Sequence, residues 1–76
     1  MKSGDWMIRK YSTTLHGHRT SFSLEEEFHS ALRAIADRRG QSLASLIAAV
    51  DETRDESMNL SSALRVFVLR TLKADV

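Results

Sequence analysis

Cysteine is absent from the 76 residues, which removes disulfides and cysteine-ligated zinc as sources of stability. Long apolar runs are missing too: nothing approaches the roughly 18–20 residues that span a bilayer. The opening Met1-Lys2-Ser3-Gly4-Asp5-Trp6 has no apolar stretch of the secretory kind, so a cytoplasmic location is expected. There is no low-complexity tract, and 42% hydrophobic with 28% charged residues is the composition of a folded chain. Net charge is only +1, which by itself points to no polyanionic partner.

Catalytic machinery is also lacking. No nucleophile–base–orienter set, phosphate-cradling glycine loop or paired buried carboxylates can be read from the chain, so no enzyme and no cofactor are expected. His16, His18 and His29 stand without a carboxylate or cysteine in a ligand pattern. They read as structural or neutral histidines, and no metal is expected.

Size sets the next constraint. Below roughly 70–80 residues a single core rarely supplies more than about 3–5 kcal/mol. With disulfides and metal excluded, oligomerisation is the remaining staple.

The distribution of charge says more than its sum. Lys2, Arg9, Lys10 and Arg19 against Asp5 give the first twenty residues a net of +3, while Ser21–Gly40 and Gln41–Val76 each carry −1. Residues 1–8 show no period and are expected to form a flexible arm, in which Trp6 would pack on a neighbouring chain. Residues 9–76 are read as one domain.

From Ile8 to Leu24 the chain is rich in Ser, Thr and Tyr, a strand composition. The clearest piece spans about 18–24. There Arg19, Ser21 and Ser23 alternate with Thr20, Phe22 and Leu24, a polar face against an apolar one. His16-Gly17 offers a turn by which an earlier strand, Arg9 to Leu15, would fold back on this one.

Three helices follow, expected at about 24–39, 43–54 and 60–73. Ser23 with Glu26 reads as a capping box for the first. Phe28, Ala31, Leu32, Ile35 and Ala36 make its apolar stripe, and Gly40 its left-handed terminus. Ser42 caps the second helix, striped by Leu43, Leu46, Ile47 and Val50. Asn59 caps the third, where Leu60, Leu64, Phe67, Val68 and Leu72 are joined by Ala63, Val66 and Leu69. So wide an apolar surface predicts burial between subunits or against a partner protein.

A lone strand needs a partner for its backbone groups. The simplest source is the same strand of a second chain across a two-fold axis. The dimer core would then hold Phe22, Leu24, Phe28, Leu32, Ile35, Leu46, Ile47, Val50, Leu64 and Phe67. A two-stranded antiparallel ribbon fits the major groove of B-DNA, where arginine can bond guanine in bidentate fashion.

Arg19 to about Asp51 resembles a ribbon-helix-helix domain of the Arc/MetJ-like family. The resemblance rests on Arg19-Thr20-Ser21-Phe22-Ser23-Leu24 and on the turn Gly40-Gln41-Ser42-Leu43-Ala44-Ser45-Leu46-Ile47. Together with Gly17-His18-Arg19-Thr20-Ser21 and Asn59-Leu60-Ser61-Ser62-Ala63-Leu64-Arg65, the whole chain is similar to a bacterial subfamily of short ribbon-helix-helix proteins. The fold it implies is mainly α with a short N-terminal β element, an intertwined homodimer with an added third helix. The function it implies is a sequence-specific transcriptional regulator or repressor that binds double-stranded DNA; the low overall charge points either to few phosphate contacts or to cooperative binding of several dimers.

By the same resemblance, base contacts fall to Arg19, Ser21 and Ser23. Phosphate contacts fall to Ser42 and Leu43 at the second helix, where free amides and the positive dipole end suit an anion. Lys10 and Arg9 are candidate phosphate contacts from the N-terminal segment. The competing expectation is an antitoxin or adapter whose third helix binds a partner protein.

Overall fold

A computed structural model describes residues 7–74. Two strands, β1 (Ile8–Leu15) and β2 (His18–Glu25), precede three helices: α1 (Glu26–Arg38), α2 (Leu43–Thr53) and α3 (Leu60–Ala74). Up to residue 6 the expected arm, with Lys2 and Trp6, lies outside the described residues; Ile8 already belongs to β1.

The strands form an antiparallel hairpin, in register from Ile8 opposite Glu25 to Leu15 opposite His18. Its two turn residues both have positive φ, 52° at His16 and 83° at Gly17, as in the primed turns whose twist matches that of paired strands. The pairing assigned from sequence to a second chain is thus supplied on one side of β2 by β1 of the same chain.

Alternation gives this hairpin two unlike faces. Leu15, Phe22 and Leu24 are buried, with Tyr11 partly buried beside them. The three helices cover that face: α1 and α3 pack on β2, and α2 reaches β1. From the helices, Leu32, Ile35, Ala36, Leu46, Ile47, Val50, Leu60, Ala63, Leu64 and Val68 complete the core.

Each helix end has a visible cause. α1 closes in a Schellman motif: the Gly40 N–H donates to the Asp37 carbonyl at 3.1 Å and the Gln41 N–H to that of Ala36 at 3.0 Å, with Gly40 at φ 66°. Ser42 then caps α2, its Oγ accepting from the Ser45 N–H at 3.1 Å. Asn59 does the same for α3, its Oδ1 accepting from the Ser62 N–H at 2.8 Å.

The capping box expected at Ser23 does not form. Strand pairing runs on to Glu25, so the chain is still extended at that residue (φ −65°, ψ 152°), which occupies the N-cap position of α1 without a side-chain capping bond to the helix. Ser23 lies two residues short of the helix, and its N–H donates to Ser61 Oγ of α3 at 2.8 Å.

Candidate nucleic-acid interface

The face of the hairpin turned away from the helices is polar from Lys10 to Thr14 and from Arg19 to Ser23, with the exposed Ile8 opposite Glu25 at its open end. On β2 it carries Arg19, Ser21 and Ser23; opposite them in the register stand Thr14, Ser12 and Lys10 of β1. All but the half-buried Ser23 are exposed. Arg19 Nη2 donates to Ser12 Oγ at 3.1 Å, so the guanidinium lies across the strands while most of its five N–H donors stay available.

Arg9 and Lys10 part company. Strand alternation sets Lys10 with Arg19, whereas Arg9 stands opposite Leu24 on the helix side. Its Nε is 4.0 Å from Glu26 Oε1. The same oxygen of Glu26 accepts from the Tyr11 hydroxyl at 3.0 Å, and that bond chiefly holds the Glu26 carboxyl below its ordinary pKa. Tyr11 stacks flat on His29, ring centroids 3.9 Å apart. Burial keeps His29 below its usual pKa; Arg33 pushes the same way and Glu26 opposes both.

At the start of α2, Ser42 and Leu43 sit at the rim of a hollow of about 300 Å³ that they share with Arg33, Ala36, Asp37 and Gln41. The Ser42 oxygen is engaged by its own helix. An anion there would meet the early amides, Leu43 included. Arg33, one α1 residue the sequence reading did not single out, adds positive charge to that hollow, and Asp37 offsets part of it.

The ten residues expected in a dimer core fill the core of a single chain. Phe22, Leu24, Leu32, Ile35, Leu46, Ile47, Val50 and Leu64 are buried, and Phe28 and Phe67 are partly buried against them. Arg39 lies over the Phe67 ring at 5.3 Å and Arg65 over Phe28 at 5.9 Å. The apolar side chains left exposed on α3 are Leu69, 56% accessible, and Leu72, 49%.

No group of three or more His, Cys, Asp or Glu side chains among the described residues is placed to hold a metal ion. His16 approaches Glu52 at 3.7 Å and Asp51 at 4.0 Å, where the hairpin turn comes near the end of α2. No helix among the described residues is long and apolar enough to cross a membrane.

A polar two-stranded ribbon, followed by two capped helices joined through a glycine, is the arrangement that the comparisons with known proteins match. The ribbon-helix-helix domain family matches residues 8–72. The chain belongs to the ribbon-helix-helix family. This domain is in general one of DNA-binding regulators, a non-enzymatic fold that also occurs in antitoxins. Among solved structures, the chain is similar to an uncharacterized protein from Bordetella pertussis Tohama I. The two are 32% identical, with a TM-score of 0.77 and 99% of this chain covered. This ribbon-helix-helix chain spans 65% of that protein's chain. No curated protein matches it.

Ser12 and Thr14 are the ribbon residues that sequence reading missed. The signal was present: once Leu15 is paired with His18 across a two-residue turn, alternation places Lys10, Ser12 and Thr14 beside Arg19, Ser21 and Ser23.

Proposed function

We propose that this ribbon-helix-helix protein is a sequence-specific transcriptional regulator, cytoplasmic and homodimeric, that presents the polar face of its ribbon to the major groove of double-stranded DNA. The observation that carries this reading is the exposed outer face of the hairpin. It presents Arg19, Lys10, hydroxyl groups and no carboxylate between Lys10 and Ser23. Arg19 would read a base edge, with Ser21 and Ser23 beside it. Lys10, together with the first amides of α2 at Ser42 and Leu43, would hold phosphates and fix register, while Arg9, on the helix side beside Glu26, is set apart from that face.

Selection of bound duplexes from random-sequence DNA at physiological salt, repeated over a range of protein concentrations, tests the reading. The expected result is a defined sequence, with affinity that falls steeply as salt rises because bound phosphates release counterions. Steepening with protein concentration would report several dimers on one site. Recovery of no sequence preference would overturn it.

A second reading, an antitoxin or adapter, is favoured by Leu69 and Leu72, exposed on the otherwise well-packed α3. On that reading, replacing both by glutamate abolishes a protein complex and leaves DNA affinity unchanged.

A further inference from the structure

The outward side of α3 carries a ridge that the described residues leave uncovered. On an ideal helix, Leu60, Ala63, Leu64 and Val68 share the side that is buried in the core. Ser62, Val66, Leu69 and Lys73 lie on the opposite side, spaced by four, three and four positions, the seam along which two helices pack. Val66 is half-buried, while Leu69, at the centre, and Leu72, on one flank, are exposed. Ser61 and Arg65, which hold Ser23 of β2, stand to one side of this ridge.

Charge is divided along the same stretch. From Leu60 to Ala74 there is no carboxylate, against Arg65, Arg70 and Lys73; just ahead of it come Asp51, Glu52, Asp55 and Glu56. On the flank away from Arg65, Arg70 and Asp55 line one hollow of about 350 Å³ together with Met58, Ala63 and Val66. They make no ion pair within the chain. Asp55 is held by the N–H and hydroxyl of Ser57 at 2.9 and 2.8 Å, and Arg70 has no ion pair among the described residues.

An apolar ridge with cations at one end and carboxylates near the other matches itself when turned end for end. A two-fold axis between Phe67 and Val68 sets Val66 of one copy against Leu69 of the other. It also sets the small Ser62 against the long Lys73. Arg70 of each copy then comes to the other's hollow, where Asp55 stands. Parallel pairing would instead bring Lys73 to Lys73, like charge against like.

We infer that α3 is a contact between two copies of this chain, packed antiparallel through Val66 and Leu69 and closed by two Arg70–Asp55 pairs. It joins one homodimer to the next and takes nothing from the ribbon face of Arg19 and Ser21. Resting on the regulator reading above, it is the contact through which several dimers occupy one DNA site.

Sedimentation velocity of the full chain without DNA, over a wide range of concentration, tests the inference. Dimers are expected to pass into tetramers as concentration rises. Leu69→Asp, which buries a carboxylate in the seam, should weaken that step at least about tenfold. Arg70→Asp should weaken it about fivefold, and Arg70→Asp combined with Asp55→Arg should restore it to within about threefold, since the pair is kept with its signs exchanged. A tetramer that survives Leu69→Asp overturns the inference. So does a wild type that never exceeds a dimer; if Leu69→Asp then loses a foreign protein, the adapter reading takes this surface.

A second measurement does not depend on how the charged variants fold. Cysteine is absent, so one introduced thiol reports only its own position. In the antiparallel register, the two thiols of Leu69→Cys are offset by about 4.5 Å along the helix axes, and those of Ser62→Cys by about 16 Å. A short bis-maleimide should link the first variant and not the second. Linking of both, or of neither, overturns the arrangement. A wild type that forms tetramers but selects no DNA sequence would sink the regulator reading and leave the α3 contact standing.

Discussion

Arg65 and Glu25, forty positions apart in the chain, meet Nε to Oε1 at 3.1 Å and join α3 to the last residue of the ribbon. Both side chains are about 29% accessible, so water screens the pair and the charge contact alone is worth little. The arginine does more than pair: it donates to the Ser23 carbonyl and lies over the Phe28 ring. Arg65→Ala is expected to destabilise the fold by about 1–2 kcal/mol, read from urea denaturation. Arg65→Lys should recover less than half of that loss, because one ammonium cannot serve a carboxylate and a carbonyl in the planar geometry of a guanidinium.

Acid should loosen the same region in two stages. His29 titrates below its ordinary 6.5 because burial disfavours the cation. Glu25 lies below its ordinary 4.5 through its own backbone N–H and then Arg65, and Glu26 lies below 4.5 chiefly through the Tyr11 hydroxyl. For a group whose folded value is depressed, stabilisation is complete above the unfolded value and is lost as pH falls through the folded one. Stability is therefore expected to hold above about 6.5, to decline below it through His29, and to drop further below about 4.5 through the two carboxylates. Denaturation curves at pH 7.5, 5.5 and 4 check this, and His29→Phe, which keeps a ring against Tyr11, should flatten the first stage.

Gly17 and Gly40 have φ of 83° and 66°, and a Cβ at either would meet nothing within 4 Å. The cost of a side chain there is one of backbone conformation, not of crowding. Alanine at either position should cost about 1 kcal/mol, and asparagine distinctly less, because its short amide tolerates the left-handed region. An unchanged denaturant m-value would show that the native and unfolded states keep their exposed areas.

Leu24 and Leu64 are fully buried, one from the ribbon and one from α3. Truncating either to alanine removes about 2–5 kcal/mol, close to the whole stability of a chain this small. Leu24→Ala and Leu64→Ala are expected to be largely unfolded at 37 °C by circular dichroism. Leu69→Ala, at an exposed position of α3, should melt within a few degrees of wild type.

Arg19→Ala should weaken binding to the selected duplex by about 1–3 kcal/mol and relax preference at one base pair. Ser12→Ala tests the orienting contact separately. It leaves the arginine in place but frees its guanidinium, and a loss of about two- to fivefold with preference retained is expected, within the range of one neutral hydrogen bond.

Much of this was legible in the chain because local rules and tertiary packing agree. Gly40 after the stripe ending at Ala36, the caps Ser42 and Asn59, and the parity that buries Phe22 and Leu24 each follow from a few neighbouring residues. Ser23 was misread for the same reason. Ser23-x-x-Glu26 satisfies a local capping rule, but the β1 pairing that keeps the chain extended to Glu25 involves residues some fifteen positions away. The strand was likewise assigned a second-chain partner because a turn of His16 and Gly17, with a non-glycine residue at positive φ, is a weaker signal than Asn-Gly. Of the candidate interface, parity supplied Arg19 and Ser21, but only the cross-strand register could bring in Ser12 and Thr14. Arg33 could not be found at all, since its place beside Ser42 depends on how α1 turns back into α2.

The covering of Ser23 by Ser61 and Arg65 has a consequence for solubility. A bare strand can recruit copy after copy into growing β-aggregates. By occupying one N–H and one carbonyl in the last third of β2, α3 leaves an incoming chain only a short stretch on which to nucleate. Shortening the protein before Asn59 would strip that cover together with Leu60, Leu64 and Val68 of the core. What remained would be expected to precipitate as fibrous material and not to persist as a smaller folded domain.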